Sequence, residues 1–205
     1  MTLPQAPDPI RRRAMIALGL ALGAGLYGRP GQARAAAVDA QPLGIEQEPD
    51  GLYVSATVVF ALPRALEDAL HRGIPLYFLT RVAVVHGRWW WFDEKIGAAQ
   101  VLSRLAYQPL LEKYRVSTGA LQKNYSSLDE ALNQVQHVLH LKVADAKDLV
   151  IGRRYIVHAS FELDLSQLPR PFQINVGSQS EWQLEADFPS ASFIWKPPQS
   201  TASPG

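Results

Sequence analysis

No cysteine occurs in the 205 residues. Its absence excludes disulfides, thiolate nucleophiles and Cys-ligated zinc or iron–sulfur centres. A surplus of either charge is missing too: 20 Lys and Arg stand against 19 Asp and Glu. A general nucleic-acid binder needs a basic surplus to neutralise phosphates, so no nucleic-acid partner is expected. There is no phosphate-cradling glycine loop and no Gly-x-Ser-x-Gly elbow, so neither a cofactor nor a serine-hydrolase site announces itself. What is present is an ordinary globular composition, 47% hydrophobic and 19% charged, which argues against disorder or a fibrous repeat.

Long apolar runs are equally scarce. The run over 14–27 is broken by Gly19, Gly23 and Gly25 and falls short of the about 20 apolar residues a membrane-spanning helix needs. Arg11, Arg12 and Arg13 precede it, and small-x-small patterns follow at Ala33-Arg34-Ala35 and Ala35-Ala36-Ala37. Residues 1–37 are therefore expected to be a cleavable export signal, cut after Ala35 or Ala37, and the location to be periplasmic. An uncleaved anchor is the alternative. Arg12-Arg13-Ala14-Met15-Ile16 resembles a twin-arginine signal, but Arg11 replaces the usual Ser or Thr and no Phe follows, which favours the general secretory route. Five bases and one acid leave with the leader, so the mature chain carries a net charge of −3. Such a chain has no evident attraction to anionic lipid.

Residues 38–196 read as one β-rich domain, and 197–205 (PPQSTASPG) as a disordered tail. Leu43, Ile45 and Gln47 precede a turn at Pro49-Asp50-Gly51, where Gly51 is expected to supply a positive φ. Leu52, Val54, Ala56, Val58 and Phe60 then alternate. A strand over 76–85 is followed by His86-Gly87, expected to be a two-residue hairpin turn into 88–96. Tyr155, Val157, Ala159, Phe161 and Leu163 share one strand face. Phe172, Ile174 and Val176 repeat the period of two, as do Trp182, Leu184, Ala186 and Phe188. Two helices are expected. Leu62, Leu66, Ala69 and Leu70 form one apolar stripe, with Pro63 suited to the first turn and Gly73 to the C-terminal stop. Ser127 and Glu130 form a capping box ahead of Leu128, Ala131, Leu132, Val135 and Val138. The fold class is mainly β (α+β): an antiparallel two-layer β-sandwich-like domain with two short amphipathic helices packed on it.

Catalytic and metal constellations are thin. His137 and His140, at i and i+3, lack a third ligand for zinc, and His137 suits the negative end of a helix instead. His158, Ser160 and Glu162 have the composition of a hydrolase triad. Residues two apart on a strand lie about 6.6 Å apart, however, too far for a nucleophile and its base. Glu162 with Asp164 lacks any sugar-binding surroundings, and Asp145 to Asp148 lacks the Gly and Glu of a calcium loop. No catalytic, cofactor or metal residues are assigned.

The least ordinary feature is Arg88-Trp89-Trp90-Trp91-Phe92-Asp93. On a strand, Trp89 and Trp91 point one way, Trp90 and Phe92 the other. Either both faces are covered, or one pair lies open as a binding anchor. Arg88, Trp89, Trp90, Trp91 and Phe92 are the candidate residues for a partner or ligand.

Spaced blocks of this chain resemble a family of exported Gram-negative bacterial proteins, domain of unknown function 4390. They are Leu66-x-x-Ala69-Leu70-x-x-Gly73-Ile74-Pro75-Leu76, the aromatic block itself, Tyr107-Gln108-Pro109-Leu110, Tyr114-Arg115-Val116, and Leu163-Asp164-x-x-x-Leu168-Pro169-Arg170-Pro171 followed by Trp182. The resemblance spans about residues 43–195. It implies no established activity and no catalytic residues, only frequent encoding beside a membrane sensor kinase of the nitrogen-regulation type. The expected function is a non-enzymatic interaction or accessory module acting on an envelope protein. A domain binding a small apolar ligand between sheet and helices is the alternative, and a hydrolase with dispersed residues the third.

Overall fold

A computed structural model describes residues 38–87, 94–168 and 182–196. The export signal expected over 1–37, the candidate residues Arg88, Trp89, Trp90, Trp91 and Phe92, the strand expected at Phe172, Ile174 and Val176, and the tail expected over 197–205 lie outside the described residues. In chain order the elements are β1 (Asp39–Ala40), β2 (Gly44–Glu48), β3 (Gly51–Val59), α1 (Arg64–His71), β4 (Leu76–His86), β5 (Glu94–Gln108), β6 (Lys113–Thr118) and β7 (Leu121–Tyr125). They continue with α2 (Leu128–Gln136), β8 (His137–Asp145), β9 (Arg154–Leu163), β10 (Glu185–Asp187) and β11 (Ala191–Ile194). No helix among the described residues is long and apolar enough to cross a membrane.

The strands make two antiparallel sheets. In the smaller, β3 is paired by β2, β8 and, at its far end, β1; the larger runs β10-β9-β4-β5-β6-β7, with β11 also pairing β9. Period-two burial orients both. β3 buries Leu52, Val54, Ala56 and Val58, while β9 buries Tyr155, Val157, Ala159, Phe161 and Leu163. Register then places Phe78, Val82 and Val84 of β4 beside Leu163, Ala159 and Val157 on that same inward face. Phe60, which follows β3, meets Phe78 and Phe161 of the larger sheet with ring centroids 5.7 and 5.3 Å apart, so aromatic packing ties the two layers together. The result is the mostly β, α+β arrangement with two short helices that the residue pattern implied.

Helix α1 buries Leu66, Ala69 and Leu70. Its end closes as expected: Gly73, at φ +85°, donates to the Leu70 carbonyl (3.0 Å) and Ile74 to that of Ala69 (3.0 Å). In α2 the Ser127 hydroxyl accepts from the Glu130 amide at 3.3 Å, but the Glu130 carboxylate reaches the Ser126 amide (3.2 Å), one residue upstream of the reciprocal bond expected. Val138 does not extend the stripe. The helix ends at Gln136 and the chain enters β8 at once, because Val138 and His137 pair with Ala56 and Thr57 of β3. Tertiary pairing overrides the helical continuation there.

Two turn expectations also fail. Gly51 is not among the positive-φ residues. Glu48 pairs with Gly51 around Pro49-Asp50, and the missing Cβ instead admits the carbonyl oxygen of Ala144. His86 pairs with Glu94, so it belongs to the strand and not to a two-residue turn. Its Nδ1–H donates to the Arg154 carbonyl (3.0 Å) and its ring lies 5.7 Å from that of Tyr155, contacts that hold it in the sheet.

Candidate functional site

The larger sheet turns one face inward and leaves the other partly open. On the open face, register lines up His158, Ala83 and Ala98 across β9, β4 and β5, and Ser160, Arg81 and Gln100 in the next row. Asp187 of β10 stands opposite Ser160. Ala83, Ala98 and Ser160 are short where their neighbours are long. They floor a trough of about 510 Å³, walled by Arg81, Lys95, Gln100, His158 and Asp187. Arg81 Nη1 lies 2.8 Å from Glu162 Oε1, an exposed pair that contributes little to stability but sets the guanidinium along the trough.

His158, Ser160 and Glu162 thus form the wetter face of β9, as the alternation implied: His158 is exposed and the other two half-buried. Their same-face Cα spacing of about 6.6 Å sets His158 and Glu162 wide of the close approach that a nucleophile and its base need. What the trough offers chemically is recognition: donors from Arg81, Lys95 and Gln100, acceptors from Asp187 and Ser160, over a small apolar floor. Strands β4 and β5, which build that floor, are the two that lead into residues 88–93.

A second cluster lies on the smaller sheet around Tyr53, which pairs with Glu46 on β2 and Lys142 on β8. Lys142 Nζ sits 2.9 Å from Asp50 and 3.0 Å from Asp145, and the Tyr53 hydroxyl donates to Asp50 at 2.8 Å. The lysine's hydrogen bonds hold both carboxyls below the ordinary aspartate range, with Tyr53 adding to the effect at Asp50. The bond to Asp50 also raises the Tyr53 phenol. Asp145 ends β8, and Ala146–Asp148 follow it as a single 3₁₀ turn with Lys147 and Asp148 facing solvent.

His140 occupies a bulge in the β3–β8 pairing at φ +52° and stacks on the Tyr53 ring, with centroids 4.1 Å apart. Its Nδ1 is 3.4 Å from Glu46 and its Nε2 3.4 Å from Glu48. His137 and His140 both lie in β8, so their i, i+3 spacing is not that of one helical face. His137 instead donates from Nδ1 to the Asn133 carbonyl (2.7 Å), capping the last turn of α2. Reading by sequence missed Glu46 and Glu48 altogether. Their i, i+2 spacing places both on one face of β2, but only the order of β2, β3 and β8 brings them to His140.

No curated protein and no solved structure matches this chain significantly. Residues 35–191 match one family throughout, the aromatic block, both tyrosine elements and Trp182 falling inside the match, and the chain accordingly belongs to the family described as Domain of unknown function (DUF4390).

Proposed function

We propose that the chain is exported to the periplasm and works there as a non-catalytic interaction module of the cell envelope, with the trough on β4, β5 and β9 as its recognition surface. The observation that carries this reading is the row of short side chains, Ala83, Ala98 and Ser160, opening a cavity of about 510 Å³ among charged and polar groups of both signs. Such a surface suits a polypeptide presenting mixed charge, because each rim group finds a partner without a net field. The arginine-led stretch at the start of the chain supports export. An envelope protein, such as the extracytoplasmic part of a membrane sensor kinase, is the partner this reading favours.

A small ligand is the second reading, favoured by the trough's volume, which falls within the range of small-molecule sites. The region between the sheets has less room for an apolar ligand, since Phe60, Phe78 and Phe161 pack there.

Affinity capture from envelope extract on the full chain tests the proposal. Ala83→Arg and Ser160→Arg fill the trough and are expected to lose a protein that the parent and a Leu121→Ser control both retain. Retention of every captured protein by the filled variants defeats the reading. Trp89→Ala and Trp90→Ala probe the aromatic block in the same experiment. A small mass co-purifying in native mass spectrometry would support the ligand instead.

A further inference from the structure

We propose that Glu46, Glu48 and His140 form a binding site for one divalent cation of the zinc class, separate from the trough. One imidazole and two carboxylates are the donor types zinc takes from proteins other than thiolates. Their ligating atoms all lie within 4.8 Å of one another. Ligands of a tetrahedral zinc at its usual bond lengths stand about 3.3 Å apart. Glu48 already stands 3.4 Å from Nε2 of His140, whereas Glu46 lies 3.4 Å from Nδ1, the other ring nitrogen, so an ion held at Nε2 needs Glu46 to make the larger adjustment. The long glutamate side chains, both substantially exposed, can supply it.

The backbone holds the three residues in place. Glu46 and Glu48 project from the same face of β2, whose register with β3 is unbroken from Gly44 to Glu48. On the other side of β3, the His140 amide donates to the Ser55 hydroxyl (3.1 Å) and the ring rests against Tyr53. An ion here would clip β2 to β8 across β3, with its fourth position open to water or to a donor from a partner.

Charge supplies an argument independent of geometry. Asp50 and Asp145 share Lys142, whereas among the described residues the imidazole of His140 is the one ion-pair partner of Glu46 and Glu48. Two carboxylates therefore converge on a group that is neutral when it serves as a metal ligand, and a dication would neutralise them.

The test uses the untagged full chain, stripped with a chelator and titrated with Zn²⁺ by calorimetry at pH 7.5, with Co²⁺ absorption reporting coordination number. One equivalent is expected to bind in the micromolar range, with the intense visible bands of four-coordinate cobalt. Asn tolerates the left-handed backbone of His140, so His140→Asn removes the imidazole with little strain. It should weaken binding about tenfold or more, as should Glu48→Gln, which alters only an exposed carboxylate. His158→Ala, an imidazole on the other sheet, should bind like the parent. No saturable binding below millimolar zinc, or undiminished binding in Glu48→Gln and His140→Asn, overturns the proposal.

Discussion

Substituting Gly97 by alanine tests how the two sheets are brought together. Gly97 sits at a bulge in β5: it pairs with Val84, while Lys95 pairs with Val85, leaving Ile96 as the extra residue. There β5 passes close against the end of β8. A Cβ on Gly97 would collide with the Val143 carbonyl oxygen and stand 2.9 Å from the Ala144 Cβ. Neither is the end of a flexible side chain, so relief requires a strand to shift. Overpacking costs about 1–3 kcal/mol, and a backbone obstacle places this case near 3. For a chain of this size that lowers the thermal midpoint by about 6–12 °C. Two other glycines separate sterics from conformation. Gly44→Ala would meet the Ser55 Cβ at 3.3 Å and the Ser55 carbonyl oxygen at an ordinary 3.7 Å, and should cost less than about 1 kcal/mol. Gly73→Ala meets nothing within 4 Å but must adopt φ +85°, a strain of about 1–2 kcal/mol. Urea and thermal unfolding of the full chain, followed by circular dichroism, would rank the three. A Gly97→Ala protein within about 0.5 kcal/mol of the parent, or a Gly44→Ala protein worse than it, would refute the close crossing of β5 and β8.

Phe161→Ala should destabilise by about 3–5 kcal/mol in the same assay, because the ring is fully buried against Phe60 and Phe78. Ile156→Ala, on the opposite face of the same strand, should cost markedly less, and equal costs would contradict the assigned faces. For Asp50 and Asp145 the folded state lowers the carboxyl pKa through Lys142. Their stabilising contribution is therefore present above the ordinary aspartate value of about 3.9 and fades as pH falls through their lower folded values. Carboxyl NMR titration should find both below the ordinary value, and Lys142→Met should return both toward it. An unchanged Asp50 titration in that variant would show that the lysine is not the cause.

Much of the fold was legible because its signals are local. Alternation along 52–60 and 155–163 marks inward faces wherever those strands pair, and the Gly73 stop acts through its own backbone. Errors arose where a distant strand decided the outcome. Val138 fits a helical stripe by spacing, yet β3 claims it. Gly51 resembles a turn glycine, yet its task is to admit the carbonyl of Ala144. His86-Gly87 has the residues of a hairpin turn, yet pairing with Glu94 and contact with Arg154 and Tyr155 keep His86 in the sheet. The candidate sites behaved likewise. The polar face of β9 could be read residue by residue, but no pattern in the chain announces that Ala83 and Ala98 lie beside it. Glu46 and His140 are still further apart in sequence.

The sequence by itself determined the class of secondary structure, the inward faces of its strands, the Ser127 N-cap, the Gly73 stop and the family, since each depends on neighbouring residues or on their order. Tertiary structure alone decided which strands adjoin, and with that both the trough and the Glu46–Glu48–His140 cluster. Strand register is settled by hydrogen bonds and packing between segments far apart in the chain, and the side-chain period of two is the same whichever neighbour a strand acquires.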